Sequence, residues 1–369
     1  MNFYPLLGRA ARAELSPAEL ADLRQAVEQP HDWSGLLEQA ELQRMAPLFY
    51  RHSRAAGAAL PEEIRLGLQG LVLRHASAAE VRARVLTELL ERTRAAGMEI
   101  ILLKGAATAY LAYPAPALRP MRDLDILVRP ADLPALQPVL QQMGFHTPAS
   151  QSPLVISDKH LPHAELKTAG LTVTLETHTH LFDSLWRPHQ PTAQDLFRSA
   201  RPFEIDGQLA LSLSLEDLLW HTYQHLVIED IRLIGIADLL SLSQRYVDEV
   251  DWDLLRRQYP ALLEALSVIH FLTPLPPVVI ERAGIRIGRP PREIGRDWQG
   301  WPRIAYGRAR GNLAGFLKET FLPSDWFLRL YYGVGSTRPL WPTRLFRHPA
   351  HLASLAWLRV MKNRPSPGK

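Results

Sequence analysis

The sequence predicts an α+β fold, a small mixed-sheet core flanked by N- and C-terminal helical regions. Three observations carry this reading. Apolar residues recur at three- and four-residue steps through much of residues 15–95. Short apolar runs alternate with helical stretches between 98 and 180, and the helical spacing returns from about 205. The 369 residues, 47% of them apolar, are enough for two or three packed units. The expected divisions are a helical region at 1–96, the sheet core at 97–204, a second helical region at 205–300 and a basic, aromatic-rich region at 301–369.

Each element has a local reason. Ser16-Pro17-Ala18-Glu19 is a capping box with proline at the first helical position, opening a helix through about Gln29. Leu36, Leu37, Ala40, Met45, Leu48 and Phe49 suit one buried helical face. Val81, Val85, Leu86, Leu89 and Leu90 place an amphipathic helix over 72–96, ended by Gly97. The core then reads as a strand at 99–103, a helix at 105–113, a strand at 123–128, a helix at 131–143 closed by Gly144, a strand near Phe145, and strands at about 163–168 and 171–178. Gly170 between the last two suggests a hairpin. Leu215, Leu218, Leu219, Tyr223 and Leu226 line one helix, opened by Ser214 with Asp217 three residues later. The end, Arg364-Pro365-Ser366-Pro367-Gly368-Lys369, reads as disordered.

The chemistry concentrates in two segments. Leu102-Leu103-Lys104-Gly105-Ala106 is an apolar strand turning into a helix, whose first backbone N–H groups form a ready phosphate site. Arg119-Pro120-Met121-Arg122-Asp123-Leu124-Asp125-Ile126-Leu127-Val128 follows. On a strand, Asp123 and Asp125 project from one face while Leu124 and Ile126 enter the core. Two neighbouring carboxylates repel unless a cation sits between them, and a hard divalent ion takes such ligands together with substrate phosphates. Leu171-Thr172-Val173-Thr174-Leu175-Glu176-Thr177-His178, rich in β-branched residues, is a later strand with Glu176 and His178 on one face. Sheet pairing would make Glu176 a third carboxylate beside the pair.

These motifs resemble the nucleotidyltransferase superfamily, with its glycine-containing turn, D-x-D strand and later acidic strand. More closely the chain resembles an uncharacterised bacterial nucleotidyltransferase family whose members often sit in lasso-peptide and exopolysaccharide gene clusters. Its LLKGAAL, R-x-x-x-D-I-D-L-L-V and V-E-L-H patterns are matched at Leu102 to Ala107, Arg119 to Val128 and Leu175 to His178, and the likeness runs from about Trp33 to Asp238. The sequence departs in having Gly105-Ala106 where the superfamily has Gly-Ser or Gly-Gly, in a long interval before the Asp pair containing Tyr113-Pro114-Ala115-Pro116, and in Thr177.

The resemblance implies a nucleotidyltransferase that moves a nucleoside monophosphate from an NTP, ATP included, to an acceptor with release of pyrophosphate. Asp123, Asp125 and Glu176 would be catalytic and bind two Mg2+ ions. Gly105 would offer backbone N–H groups to phosphate, and Lys104 and Arg119 would neutralise the triphosphate, with pairing to one of these strand acids, to set the loop, the competing role for Arg119. His178 would orient Glu176 or contact substrate, or is a half-buried strand histidine. Arg122 is expected in solvent. His160 and His163 resemble a family H-x-P element. His221 and His225 form H-x-x-x-H on one helical face but lack the intervening glutamate of a zinc protease, so with Arg232 and Asp238 they are expected to line a cleft. The other readings are a non-catalytic nucleotide-binding or regulatory module of a biosynthetic complex, and a toxin-like transferase acting on RNA.

Composition limits the setting. With no cysteine there are neither disulfides nor thiolate metal sites, which a cytoplasmic protein tolerates. No apolar run reaches the roughly 18 residues of a membrane span, and Met1-Asn2-Phe3-Tyr4-Pro5 does not begin a signal peptide. Residues 301–369 hold twelve Lys or Arg against two acids, a net of +10, so the remainder carries −6 of the total +4. Trp326, Phe327, Tyr331, Tyr332, Trp341, Phe346 and Trp357 are interleaved with these charges. Such a region reads first as an ordinary helical domain with an arginine-rich surface; the alternatives are contact with an anionic membrane surface, with proteins of a biosynthetic cluster or, less readily, with nucleic acid.

Overall fold

The computed structural model describes residues 3–147, 159–183, 190–228, 231–296, 298–302, 304, 307 and 311–362. It divides into two units, 1–251 and 252–369. In the first, helices α1 (Tyr4–Gly8), α2 (Pro17–Val27), α3 (Leu36–Leu42), α4 (Ala46–Ala55) and α5 (Glu62–Ala95) precede the sheet. Ser16 caps α2, with Glu19 returning the bond as the capping box requires. The 34-residue α5 begins about ten residues before the periodicity suggested, because its first half buries little beyond Ile64 and Leu68. The sheet elements are β1 (Ile101–Leu103), α6 (Lys104–Leu111), β2 (Asp123–Leu127), α7 (Leu133–Gln142), β3 (Ala164–Thr168), β4 (Leu171–His178), α8 (Ala193–Arg198), β5 (Arg201–Ile205) and β6 (Gln208–Ser212). Helices α9 (Leu215–Ile228) and α10 (Leu233–Arg245) close the unit.

The six strands lie in the order β3-β4-β2-β1-β6-β5. β2 pairs antiparallel with β1 and parallel with β4, so the two acid-bearing strands are direct neighbours at the middle of the sheet. Leu102, Leu124, Ile126, Val173 and Leu175 are fully buried, as the alternation requires. Gly170 turns a β3–β4 hairpin with Ala169, both at positive φ. The sheet does not stop at 204: β5 and β6 form a second hairpin through Asp206-Gly207, and β6 runs parallel to β1. The expected strand near Phe145 is only a bridge between His146 and Glu165.

The second unit holds α11 (Trp252–Gln258), α12 (Pro260–Ile269), α13 (Pro277–Ala283), α14 (Leu313–Phe321), α15 (Asp325–Tyr332) and α16 (His348–Lys362). Its aromatic residues do two different things. Trp326, Phe327 and Tyr332 are buried, and the Trp298 and Phe327 rings meet at 4.3 Å. Trp341, Phe346 and Trp357 are exposed. Arg344 pairs with Asp325 at 2.6 Å, so part of the positive charge is locally neutralised. The tail 364–369 lies outside the described residues. No described helix is long and apolar enough to cross a membrane.

Candidate functional site

Register builds the site. Asp125 of β2 stands opposite Leu103 of β1 on one side and Glu176 of β4 on the other, and His178 stands opposite Leu127. Asp125 is 1% exposed and His178 fully buried. Lys104 follows β1 directly, at φ +47°, a left-handed conformation that costs a non-glycine residue roughly 1 kcal/mol. Its Nζ donates to Asp125 Oδ1 at 2.7 Å and lies 3.8 Å from Glu176 Oε2. His178 Nε2–H donates to the same Asp125 oxygen at 2.9 Å and lies 3.5 Å from Glu176. Burial acts against ionisation of Asp125, but the Lys104 ammonium and the His178 hydrogen bond outweigh it and hold this carboxyl well below its ordinary range. The hydrogen bond from His178 likewise lowers Glu176, against the effect of burial. His178 Nδ1 is buried with no hydrogen-bond partner among the described residues.

Asp123 is one pleat further along and is half-buried. Burial, and next the charge of Asp125, raise its pKa. It faces a cleft of about 250 Å³ lined also by Lys104, Arg44, Arg119, Arg122, Arg232 and His225. Asp238 engages Arg119 through Nη2 at 2.6 Å and Nε at 3.2 Å, and accepts the Tyr113 hydroxyl at 2.7 Å. This buried ion pair explains Gly105: a Cβ there would run into the Arg119 guanidinium and approach Met121 Cγ to 3.0 Å. Arg44 sits in the turn between α3 and α4 at φ +56°. Gln43 beside it accepts the Leu233 N–H at 3.0 Å, which ties the turn to the start of α10, where Arg232 is the N-cap residue. Burial, then the nearby Arg119 charge, push Arg44 down to about 10.

The structure therefore brings Lys104, Asp125, Glu176 and His178 together and separates Asp123 from them. Among the described residues, the group able to converge on one metal ion is Asp125, Glu176 and His178, with ligand atoms within 4.8 Å of one another, and Asp123 is outside it. The separation follows from the parallel register, which sets Asp125, not Asp123, opposite Glu176. Arg119 takes its structural role, with a partner on α10 instead of either strand acid. Arg122 is exposed as expected, yet it borders the cleft. His160 bridges to His178, their rings 5.4 Å apart, while His163 lies 3.4 Å from Glu165. His221 is buried and His225 half-buried on α9, with ring centroids 6.3 Å apart. Burial, then the Lys104 charge, lower both, His221 to about 3, so both are neutral imidazoles. Arg44 was not a candidate from sequence, because no motif surrounds it and only the chain's return through α10 brings it to the cleft.

The donor set fits a hard divalent cation through oxygen: two carboxylates held ionised, at a position where the Lys104 ammonium already bears positive charge, with the His178 Nε2–H orienting the Asp125 carboxylate. Beside it, a cleft rich in guanidinium groups suits phosphate.

On the mixed sheet, then, a carboxylate cluster whose ligand atoms could converge on one ion adjoins a cleft lined by guanidinium groups. Over residues 29–270 the sequence matches the family described as uncharacterised nucleotidyltransferases, well over half of the chain, and the chain belongs to that family. No curated protein matches the sequence. Similar solved structures include an antigenic nucleotidyltransferase-like protein from Paracoccidioides brasiliensis, 20% identical with a TM-score of 0.33, the match covering 54% of this chain and 96% of that one. They also include the antibiotic-resistance factor ANT(2'')-Ia, 14% identical with a TM-score of 0.34, covering 52% and 98%.

Proposed function

We propose that the chain is a Mg2+-dependent nucleotidyltransferase that moves a nucleoside monophosphate from an NTP to an acceptor and releases pyrophosphate. The observation that carries this is Lys104, which belongs to both halves of the site: it borders the arginine-lined cleft and pairs with Asp125 in the carboxylate cluster. A triphosphate in the cleft would present its α-phosphorus to the cluster. Asp125 and Glu176, with Asp123 on the cleft side, would hold the metal, and His178 would keep Asp125 oriented for it. When bound, Mg2+ would neutralise phosphate charge and favour ionisation of an acceptor hydroxyl.

The chain's own groups supply the rest. The acceptor oxygen attacks the α-phosphorus, the bond from that phosphorus to the β-phosphate's bridging oxygen breaks, and pyrophosphate leaves. Glu176, kept ionised by His178, accepts the acceptor's proton. Lys104 and Arg232 neutralise charge on the leaving pyrophosphate. His178 holds Asp125 in one orientation through its 2.9 Å hydrogen bond.

The test is the fate of label. NTPs carrying a labelled α-phosphate, incubated with the protein, Mg2+ and a small-molecule and peptide extract, should give label on a non-nucleotide product together with pyrophosphate. Labelled NDP with transfer of the γ-phosphate would overturn the reading. One observation favours a second reading, a non-catalytic nucleotide-binding module: the Lys104 ammonium already satisfies Asp125. Mg2+-dependent NTP binding without a labelled product from any acceptor would select that reading.

A further inference from the structure

Four guanidinium groups, those of Arg44, Arg119, Arg122 and Arg232, face one cleft of about 250 Å³. Like charges so gathered repel: burial first, then the Arg119 charge and more weakly those of Arg232 and Arg122, push Arg44 down to about 10, with the Asp123 carboxylate opposing them. Arg119 is held by Asp238. Among the described residues no carboxylate pairs with Arg44 or Arg122, and the Arg44 Nε is buried without a hydrogen-bond partner. Arg44 is not there by chance of a mobile side chain. Its backbone is left-handed, the Met45 N–H is bonded to Ala40 O at 2.7 Å, and Gln43 anchors the turn to α10. A rigid turn thus delivers an unpaired, partly desolvated guanidinium into an already cationic space. That arrangement disfavours the empty state and favours an anion that can accept several forked hydrogen bonds.

We infer that Arg44, with Arg122 and Arg232, forms a subsite for the terminal phosphates of the donor, so that the N-terminal helical region distinguishes a triphosphate from a monophosphate. The inference rests on the transferase reading for which end of the nucleotide lies here. Lys104 lines the cleft and pairs with Asp125 of the cluster, and the guanidinium groups line the same cleft, so a phosphate chain that reaches from the cluster into the cleft meets them. The volume, below the roughly 300 Å³ at which pockets for drug-sized ligands begin, suits a phosphate chain better than a base and sugar.

The test uses the full chain and inorganic tripolyphosphate with Mg2+, a probe independent of base preference, alongside the four NTPs and their NMPs, all by calorimetry. Arg44→Ala should weaken tripolyphosphate and NTP binding by about tenfold or more, since a charge-assisted pair is lost, and should leave NMP binding within about twofold. Arg44→Lys should restore only part of the loss, because an ammonium cannot fork. The readout that separates binding from structure is thermal stability: losing Arg44 relieves repulsion, so the melting temperature of Arg44→Ala should equal or exceed that of the wild type while affinity falls. Arg122→Ala, at an exposed position, should weaken tripolyphosphate in the same sense. Unchanged tripolyphosphate affinity in Arg44→Ala, an equal loss on NMPs, or a lowered melting temperature with all ligands weakened would each overturn the subsite. Wild-type protein that binds tripolyphosphate through Arg44 but transfers no labelled nucleotide would instead sink the transferase reading and leave the subsite standing.

Discussion

The carboxylate cluster and the arginine cleft begin two residues apart on one strand, yet they are opposite environments. Asp125 is almost fully buried, and an ammonium and an imidazole converge on one of its oxygens. Asp123 is half-buried, and its charge is opposed by burial and by Asp125. On the cluster side cations satisfy the acids. On the cleft side cations outnumber acids, and one of them, Arg119, is committed to Asp238. The difference teaches that a D-x-D strand need not be a symmetric metal pair. One acid is part of a preformed cluster with an ammonium and an imidazole, and the other lines the cleft, its charge disfavoured by burial and by its neighbour.

Breaking the committed pair should have the largest effect. Arg119→Ala leaves Asp238 buried beside Tyr113 without its cation and should destabilise the protein by about 4 kcal/mol, measured by urea denaturation. A loss below about 1 kcal/mol would mean that the pair is solvated and that Arg119 is available to substrate. Asp125→Asn, which removes the buried carboxylate charge 2.7 Å from the Lys104 ammonium, should cost about 3 kcal/mol, whereas Asp123→Asn should leave stability unchanged or slightly raised. Equal losses for the two would erase the asymmetry on which the comparison rests.

Gly105→Ala should come next, at about 2 kcal/mol, because the added methyl displaces the Arg119 guanidinium. The smallest effect is on pH dependence. The folded pKa of Asp125 lies below its ordinary 3.8, so its contribution is present above that value and is lost as pH falls below it. The folded pKa of Asp123 lies above 3.8, so it carries a penalty at neutral pH that is relieved as pH falls toward 3.8. Asp125→Asn should therefore flatten the acid limb of the stability curve below about pH 4, and Asp123→Asn should raise the neutral plateau relative to that limb. Chemical denaturation across pH 2.5–7, a range set by the ordinary carboxylate pKa of roughly 4, checks both.

Strand alternation made the acid-bearing faces legible. It placed Asp123 with Asp125 and Glu176 with His178, and β2–β4 pairing then set Glu176 beside Asp125. What alternation could not give was which acid Glu176 meets, since that depends on a parallel register fixed by contacts far along the chain. The β5–β6 hairpin was open to sequence reading, because Asp206-Gly207 is a strong two-residue hairpin signal, and it was obscured by the leucine-rich run that follows into α9. Arg44 was not open to it. Its importance comes from the Gln43–Leu233 tie across 190 residues, and no local pattern marks such a contact. The pairing of Arg119 with an acid was foreseen as a competing role, but its partner, Asp238, is likewise set by helix packing and not by spacing.

The most direct test of the account is calorimetric titration of the four NTPs, with and without Mg2+, into wild-type protein and the Asp123→Asn, Asp125→Asn double variant. The account predicts binding of at least one NTP that requires Mg2+ and is lost in a variant that remains folded by circular dichroism. Equal binding by the wild type and the folded variant, or binding indifferent to Mg2+, would contradict it.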